Sequence, residues 1–299
     1  MLFGIVALSV VGMSWTLVGI VMGSAPRKGI DPGLVQLFGA VCSVLIGAIL
    51  LFLLPQKHPA VRECLFPCLL YFSGGFLNCI MLLLMSKAMQ HGPNGIIWVI
   101  IQSAMIFPFL TGIIFFHVEP KPVRITGLLL ILASLVLFGL CKNNEVKGGG
   151  WKAVTFLAFL LTGVVLNCSS LPSYFESGQN VPPILRSVCT AAGTLTIAVL
   201  VTVFNRKKIP VRANLRSKYL WLFVGSLQFF GLIFAYLLLY PGMDAMAKNG
   251  NGSASHPLLI ASCIVGFSLY SVFILREKSS VWQYMTMAGC LSGIVMICR

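Results

Sequence analysis

Acidic residues are nearly missing from this chain: seven Asp and Glu stand against 21 Lys and Arg in 299 positions. Charged residues of both signs reach only 9%, against about 25% in soluble domains, so the chain cannot cover a soluble surface. The acids are Asp31, Glu63, Glu119, Glu145, Glu176, Asp244 and Glu277, each in a hinge or at the end of an apolar run. No carboxylate is therefore expected at mid-membrane to carry a proton or a sodium ion. Paired carboxylates for acid–base work are also lacking, which disfavours a membrane-embedded transferase. There is no P-loop, so ATP hydrolysis by that route is excluded. No CxxC pair occurs, and most of the ten cysteines lie within apolar runs or at their ends, where a free thiol behaves as a small hydrophobe. The composition calls for no metal and no cofactor.

What is abundant is apolar sequence, 58% of the chain. Runs of 18 or more such residues suffice to cross a hydrocarbon layer of roughly 30 Å. Ten spans are expected, near 2–22, 33–54, 64–86, 94–116, 122–141, 151–172, 183–204, 219–240, 253–275 and 280–298. The expected class is an all-α, multi-pass membrane protein with no room for a soluble catalytic domain. The first span lacks a basic leader and is too long for a signal-peptide core, so it reads as a retained helix.

The formal charge of +14 sits in the hinges rather than on one folded face, which reads as topology and not as a nucleic-acid surface. Fourteen basic residues follow odd-numbered spans and six lie on the other side. Lys and Arg gather in cytoplasmic loops, so this count places the odd-numbered hinges in the cytoplasm and both termini outside. Six of the fourteen come from the single hinge "NRKKIPVRANLRSK".

The chain also repeats itself. "AMQHGPNG" (Ala88–Gly95) returns as "AMAKNGNG" (Ala245–Gly252), 157 positions later. At an offset of 151, Gly12 falls on Gly163 and Pro32 on Pro183; at 157, Gly74 falls on Gly231 and Asn94 on Asn251. Five spans per half is an odd number, so the second half enters the membrane from the opposite side. Two inverted five-helix repeats are expected, 1–141 and 142–299. Such repeats hold a solute near the midplane and rock against each other.

"GMSW" in the first span, "HGPNG" into the fourth, "HVEP…TGLLLILASLVLFG" after it and "HPLLIASCIVGFSLYSVFILREKSSVWQYMTMAGCLSGIVMIC" at the end carry a resemblance. They resemble the drug/metabolite transporter superfamily, in particular its ten-helix EamA-type members and more loosely the rhamnose-permease branch. The resemblance covers the whole chain. It implies a central cavity lined by helices 1, 3, 4, 6, 8 and 9 and secondary transport of sugars, amino acids or drugs. It also implies cytoplasmic termini, opposite to the charge count.

Polar residues inside spans are costly and so are site candidates. Ser14 and Trp15, Asn78, Trp98 and Gln102, Asn167, Gln228 and Tyr270 lie at useful depth in spans one, three, four, six, eight and nine. Amides and indoles suit a neutral polar solute such as a sugar; the alternative is hydrogen bonding between helices. His256 is the one histidine within a span, and either meets the solute or caps its helix. Gly92, Pro93, Asn94 and Gly95 before the fourth span match Asn251 and Gly252 before the ninth, with Pro257 beyond. Gly and Asn permit unusual backbone angles there, and exposed helix-start amides would suit a polar ligand. Arg186 is expected to bind an anion or to snorkel to the interface. Gly289 and Gly293 form GxxxG, suited to a homodimer or to packing within the chain.

The expected function is a secondary transporter of a small polar metabolite in the cell membrane, with a small-molecule solute and the lipid bilayer as its partners. Export or exchange of amino acids or drug-like metabolites is the alternative, and a non-transporting sensor is the remoter one. In a cysteine-free background, a cysteine introduced near Asp244 should react with an impermeant maleimide added outside, and one near Lys207 should not. The reverse pattern would overturn the charge-based orientation.

Overall fold

The computed structural model describes residues 2–54, 61–116, 121–140, 150–205, 210–228, 231, 233–248, 255–276 and 281–297. Among these no strand occurs. Backbone amides and carbonyls have no water to bond in a hydrocarbon layer, and a helix satisfies them within itself. Long helices follow: α1 (Leu2–Ser24), α2 (Pro32–Leu53), α3 (Val61–Met89), α6 (Pro122–Leu140), α7 (Gly150–Ser170) and α9 (Pro183–Phe204). Between α3 and α6 the chain forms α4 (Asn94–Gln102) and α5 (Ile106–Phe116); between α7 and α9 lies the short α8 (Glu176–Gln179). After the basic hinge come α10 (Val211–Arg216), α11 (Lys218–Gln228), α12 (Tyr240–Lys248), α13 (Ser255–Leu269) and α14 (Val281–Ile297).

Six helices among the described residues are long and apolar enough to cross a membrane, counting α4 and α5 as one from Asn94 to Phe116. Their outward faces carry Phe52, Phe115, Val203 and Phe204, all strongly exposed as lipid-facing side chains would be. The protein is an all-α, multi-pass membrane protein.

Prolines shape the departures from straight helices. Pro108 has no amide to give to the Ala104 carbonyl, and a 3₁₀ turn, Ser103–Met105, separates α4 from α5 there. Pro241 likewise leaves the Leu237 carbonyl without its partner, within the π-helical stretch Ala235–Leu239 that runs into α12. The eighth span thus continues to Lys248 instead of stopping near 240, and Asp244 lies inside a helix, not in a hinge. A second π-helical stretch, Tyr270–Leu275, ends the ninth span, and Arg276 follows at φ 51°. At the start of α2, Asp31 accepts a hydrogen bond from the Leu34 amide at 3.0 Å, with Pro32 in the first turn.

The packing partners exchange when the halves exchange. Helix α1 packs on α12 and α13, and α7 packs on α3, α4 and α5. Helix α2 meets α11 as α9 meets α3, while α2–α9 and α6–α14 pair across the halves. Glycines let these backbones approach. A Cβ on Gly12 would fall on the Leu259 carbonyl of α13, and one on Gly163 would enter the Phe107 ring of α5. Helices α3 and α9 cross at two glycines: a Cβ on Gly75 would strike the Thr190 carbonyl, and one on Gly193 the Phe72 carbonyl. Gly289 and Gly293 meet Ser134, Gly127 and Ile131 of α6 in the same chain.

Gly75→Val and Gly193→Val should each destabilise the protein by about 1–3 kcal/mol, the usual range for overpacking a tight contact. Gly225→Ala, where a Cβ meets nothing within 4 Å, should lie within about 1 kcal/mol of the parent. Thermal unfolding in detergent micelles reads all three; equal melting temperatures would contradict the crossing.

Candidate functional site: a cavity between the two halves

A cavity of about 330 Å³ lies among α1, α2, α3, α4, α7, α9, α11, α12 and the start of α13. Trp15, Asn78, Trp98, Gln102, Gln228 and His256 all line it. Helix geometry explains which sequence candidates do not. Ser14 neighbours Trp15 and so points about 100° away; its hydroxyl donates to the Val11 carbonyl at 2.6 Å. Asn167 is turned from the cavity beside the lining residue Leu166, and Tyr270 packs on Phe267 with ring centroids 5.6 Å apart.

The helix-start candidates stand apart from the cavity as well. Gly92 keeps a negative φ, as do Gly95 and Asn94, so no unusual backbone angle explains their presence. Gly92 instead makes room for the Trp151 ring. With its amide oriented to suit its neighbours, Asn94 donates to the Met89 carbonyl at 3.0 Å and accepts from Arg27 at 2.9 Å. The first residue of α4 to reach the cavity is Trp98, one turn in, and Pro257 is buried without lining it. Asn251 and Gly252 lie outside the described residues.

Two helices absent from the expected lining contribute much of it. Gln36 and Ser43 come from α2, and Ser187, Thr190 and Thr194 from α9. Each set follows a helical face (i, i+7 and i, i+3, i+7), a signal legible in "QLFGAVCS" and "SVCTAAGT". Ser43 donates to the Gln228 side-chain carbonyl across α2 and α11, where the lack of a side chain on Gly39 makes room for the Gln228 amide. Thr194 donates to the Gly75 carbonyl at 3.0 Å across α9 and α3.

Several lining groups have weak partners or none. Gln102 reaches only the Cys263 thiol and Gln36 only the Met22 thioether, each at 3.5 Å, and sulfur is a poor acceptor. The Tyr71 hydroxyl, the Trp98 indole nitrogen and both His256 ring nitrogens are buried with no hydrogen-bond partner. His256 is the second residue of α13, yet its ring caps nothing. Buried polar groups in folded proteins nearly always find a partner, in protein, water or ligand.

Arg186 neither snorkels nor faces the cavity. It is 1% exposed, donating from Nε to the Val181 carbonyl at 2.8 Å and from Nη2 to the Gln179 carbonyl at 3.0 Å. Nη1 pairs with Asp244 at 3.4 Å, and the guanidinium lies 5.3 Å from the centroid of the Tyr240 ring. Its charge is spent on the chain itself, fastening the start of α9 to α12. Among the described residues no carboxylate lines the cavity. Arg186→Met should cost about 3 kcal/mol, because Asp244 and two carbonyls lose their partner. Asp244→Asn should cost less, since Asp244 is 28% exposed to Arg186's 1%. Melting curves of the two single variants and the double variant give the coupling; strict additivity would contradict the pairing.

Comparison with known proteins bears on the fold and the family. Twenty-two chains of solved structures match. One crystal structure superposes with a TM-score of 0.63 at 16% identity, over 99% of this chain and 94% of its own, a likeness of fold alone. No curated protein matches the chain. The first half is recognisable at the level of family: the protein carries an EamA-like transporter family domain over residues 2–140.

Proposed function

We propose that the protein is a secondary transporter that carries a small, uncharged, polar metabolite, sugar-like in its hydroxyl chemistry, across the cell membrane by alternating access. The family suggests a membrane transporter of small solutes. The observation that carries the finer reading is the cavity, drawn from both halves and lined by polar groups that the protein itself leaves weakly bonded or unbonded. A solute with hydroxyls would complete them. In this reading residues 1–141 and 142–299 are inverted repeats that rock about the solute, consistent with partners that exchange between halves.

The lining also bears on coupling. With no carboxylate among the described residues of the cavity lining, facilitated diffusion or exchange fits better than carboxylate-centred proton or sodium coupling. An amino-acid exporter would need charged groups for both ends of a zwitterion, and the nearby Arg186 is already paired.

Purified protein in proteoliposomes, tested by counterflow with labelled sugars and polyols, should carry at least one of them, and should not carry neutral amino acids. His256→Ala, Gln102→Ala and Trp15→Ala should each lower that flux about tenfold, the worth of one hydrogen bond or ring contact near 1.4 kcal/mol. Their melting temperatures should stay close to the parent's. Parental flux in all three variants would remove the cavity as the site.

A further inference from the structure

The two ends of the cavity differ in kind. Helix α1 runs from one membrane face to the other, and contacts from Gly4 to Met246, Gly12 to Leu259 and Gly19 to Phe267 set the depth of the second half against it. Toward the face where α1 begins, the polar lining is Tyr71, Ser169, Ser187, Thr190, Tyr240 and His256, set beside Leu166, Leu239 and Met243. Ser187 and Thr190 donate to carbonyls of their own helix, at 3.2 and 3.0 Å, which leaves their oxygens as acceptors. The Tyr71 hydroxyl and both His256 nitrogens are unpartnered, in side chains only 2% and 7% exposed. Toward the face where α1 ends, the lining is Val18, Val35, Leu82, Met85, Trp98 and Ile101, with three polar groups among them: the unpartnered Trp98 indole N–H and the Gln36 and Gln102 amides, which rest on sulfur.

The repeat makes this asymmetry informative. Offsets of 151 and 157 relate positions at one end to positions at the other. Gly39 corresponds to Thr190 and Tyr71 to Gln228; one further residue of slippage sets Trp98 against His256. A duplicated chain begins with two equivalent ends. Here one end has gathered the phenols, hydroxyls and imidazole, and the other an indole and two glutamine amides among mostly apolar side chains. A solute polar all round would leave the second end facing hydroxyls with valine, leucine and methionine.

We infer that the solute is an uncharged amphipathic molecule, a hydroxyl-bearing unit substituted with an apolar ring or chain. It seats its hydroxyls at Tyr71 and His256 and its apolar part at Val18, Met85 and Trp98. The inference rests on the transport reading for its physiological meaning but concerns binding, which is measured separately. The apolar part gains burial against the α1 and α3 side chains. The hydroxyls supply the partners that Tyr71 and His256 lack.

Two matched pairs test it: D-glucose with phenyl β-D-glucoside, and D-galactose with phenyl β-D-galactoside, each titrated against intrinsic tryptophan fluorescence of the detergent-purified protein. The substituted member of at least one pair should bind at least tenfold more tightly than the bare sugar. Val18→Thr, a change of nearly equal volume, and Trp98→Ala should each cut that ratio at least threefold. Tyr71→Phe should weaken both members of the pair alike. A bare sugar that binds as tightly as its substituted partner, a ratio unmoved by both apolar-end variants, or binding by neither pair would overturn the inference. Binding of phenyl glucoside or phenyl galactoside with the expected ratio but no flux in proteoliposomes would instead refute the transport reading and leave the solute class standing.

Discussion

A polar group buried in a membrane must be hydrogen-bonded, and most of this molecule obeys that constraint by local means. Ser103, Ser134, Thr155, Thr162 and Ser262 each give their hydroxyl proton to the carbonyl four residues back, at 2.8 to 3.0 Å. Arg186, the most expensive group to bury, is met by two carbonyls, a carboxylate and an aromatic face. Against that background a few buried groups lack partners, with Asn167, Thr202 and Ser255 outside the cavity among them, and the largest are Tyr71, Trp98 and His256. All three line the same cavity. Where a solute would sit, three large polar side chains are left unsatisfied.

The same economy governs the helix crossings. Apolar association between helices in lipid gains little from the hydrophobic effect, so close approach and dispersion must hold them. Gly75 and Gly193 let α3 and α9 touch backbone to backbone, and Thr194 uses that proximity to reach the Gly75 carbonyl. Ser43 and Gln228 join α2 to α11 in the corresponding place. Position 43 plus the offset of 151 is position 194, so the donors of the two inter-half bonds fall at matching positions of the proposed repeats. These bonds flank the cavity and are the contacts a rocking motion would have to preserve or remake.

The helical class, six of the ten expected spans and the central polar residues were legible in the sequence because each leaves a one-dimensional trace. Apolar length shows a span, and Trp15, Asn78, Gln228 and His256 are conspicuous in apolar surroundings. What could not be read was facing. Ser14 and Trp15 are adjacent in sequence and lie on different sides of α1, and Asn167 lies beside a lining residue without joining it. The small hydroxyls of α9 are inconspicuous singly and become a lining only once α9 is set against α3. Arg186 and Asp244 are 58 positions apart, and nothing local marks them as partners. The continuation of the eighth span through Pro241 to Lys248 escaped notice because proline ordinarily ends a helix, whereas here a π-helical turn absorbs it.

The central claim is that the halves move against each other about the cavity. Spin labels at Lys28 and Arg216 report the face where α1 ends, and labels at Leu53 and Glu176 the face where it begins. All four positions are exposed. Distance distributions from double electron–electron resonance in nanodiscs, with and without saturating phenyl glucoside, are the most direct measurement. Alternating access predicts that the two distributions shift in opposite senses on solute addition. Two unchanged distributions, or shifts in the same sense, would contradict it.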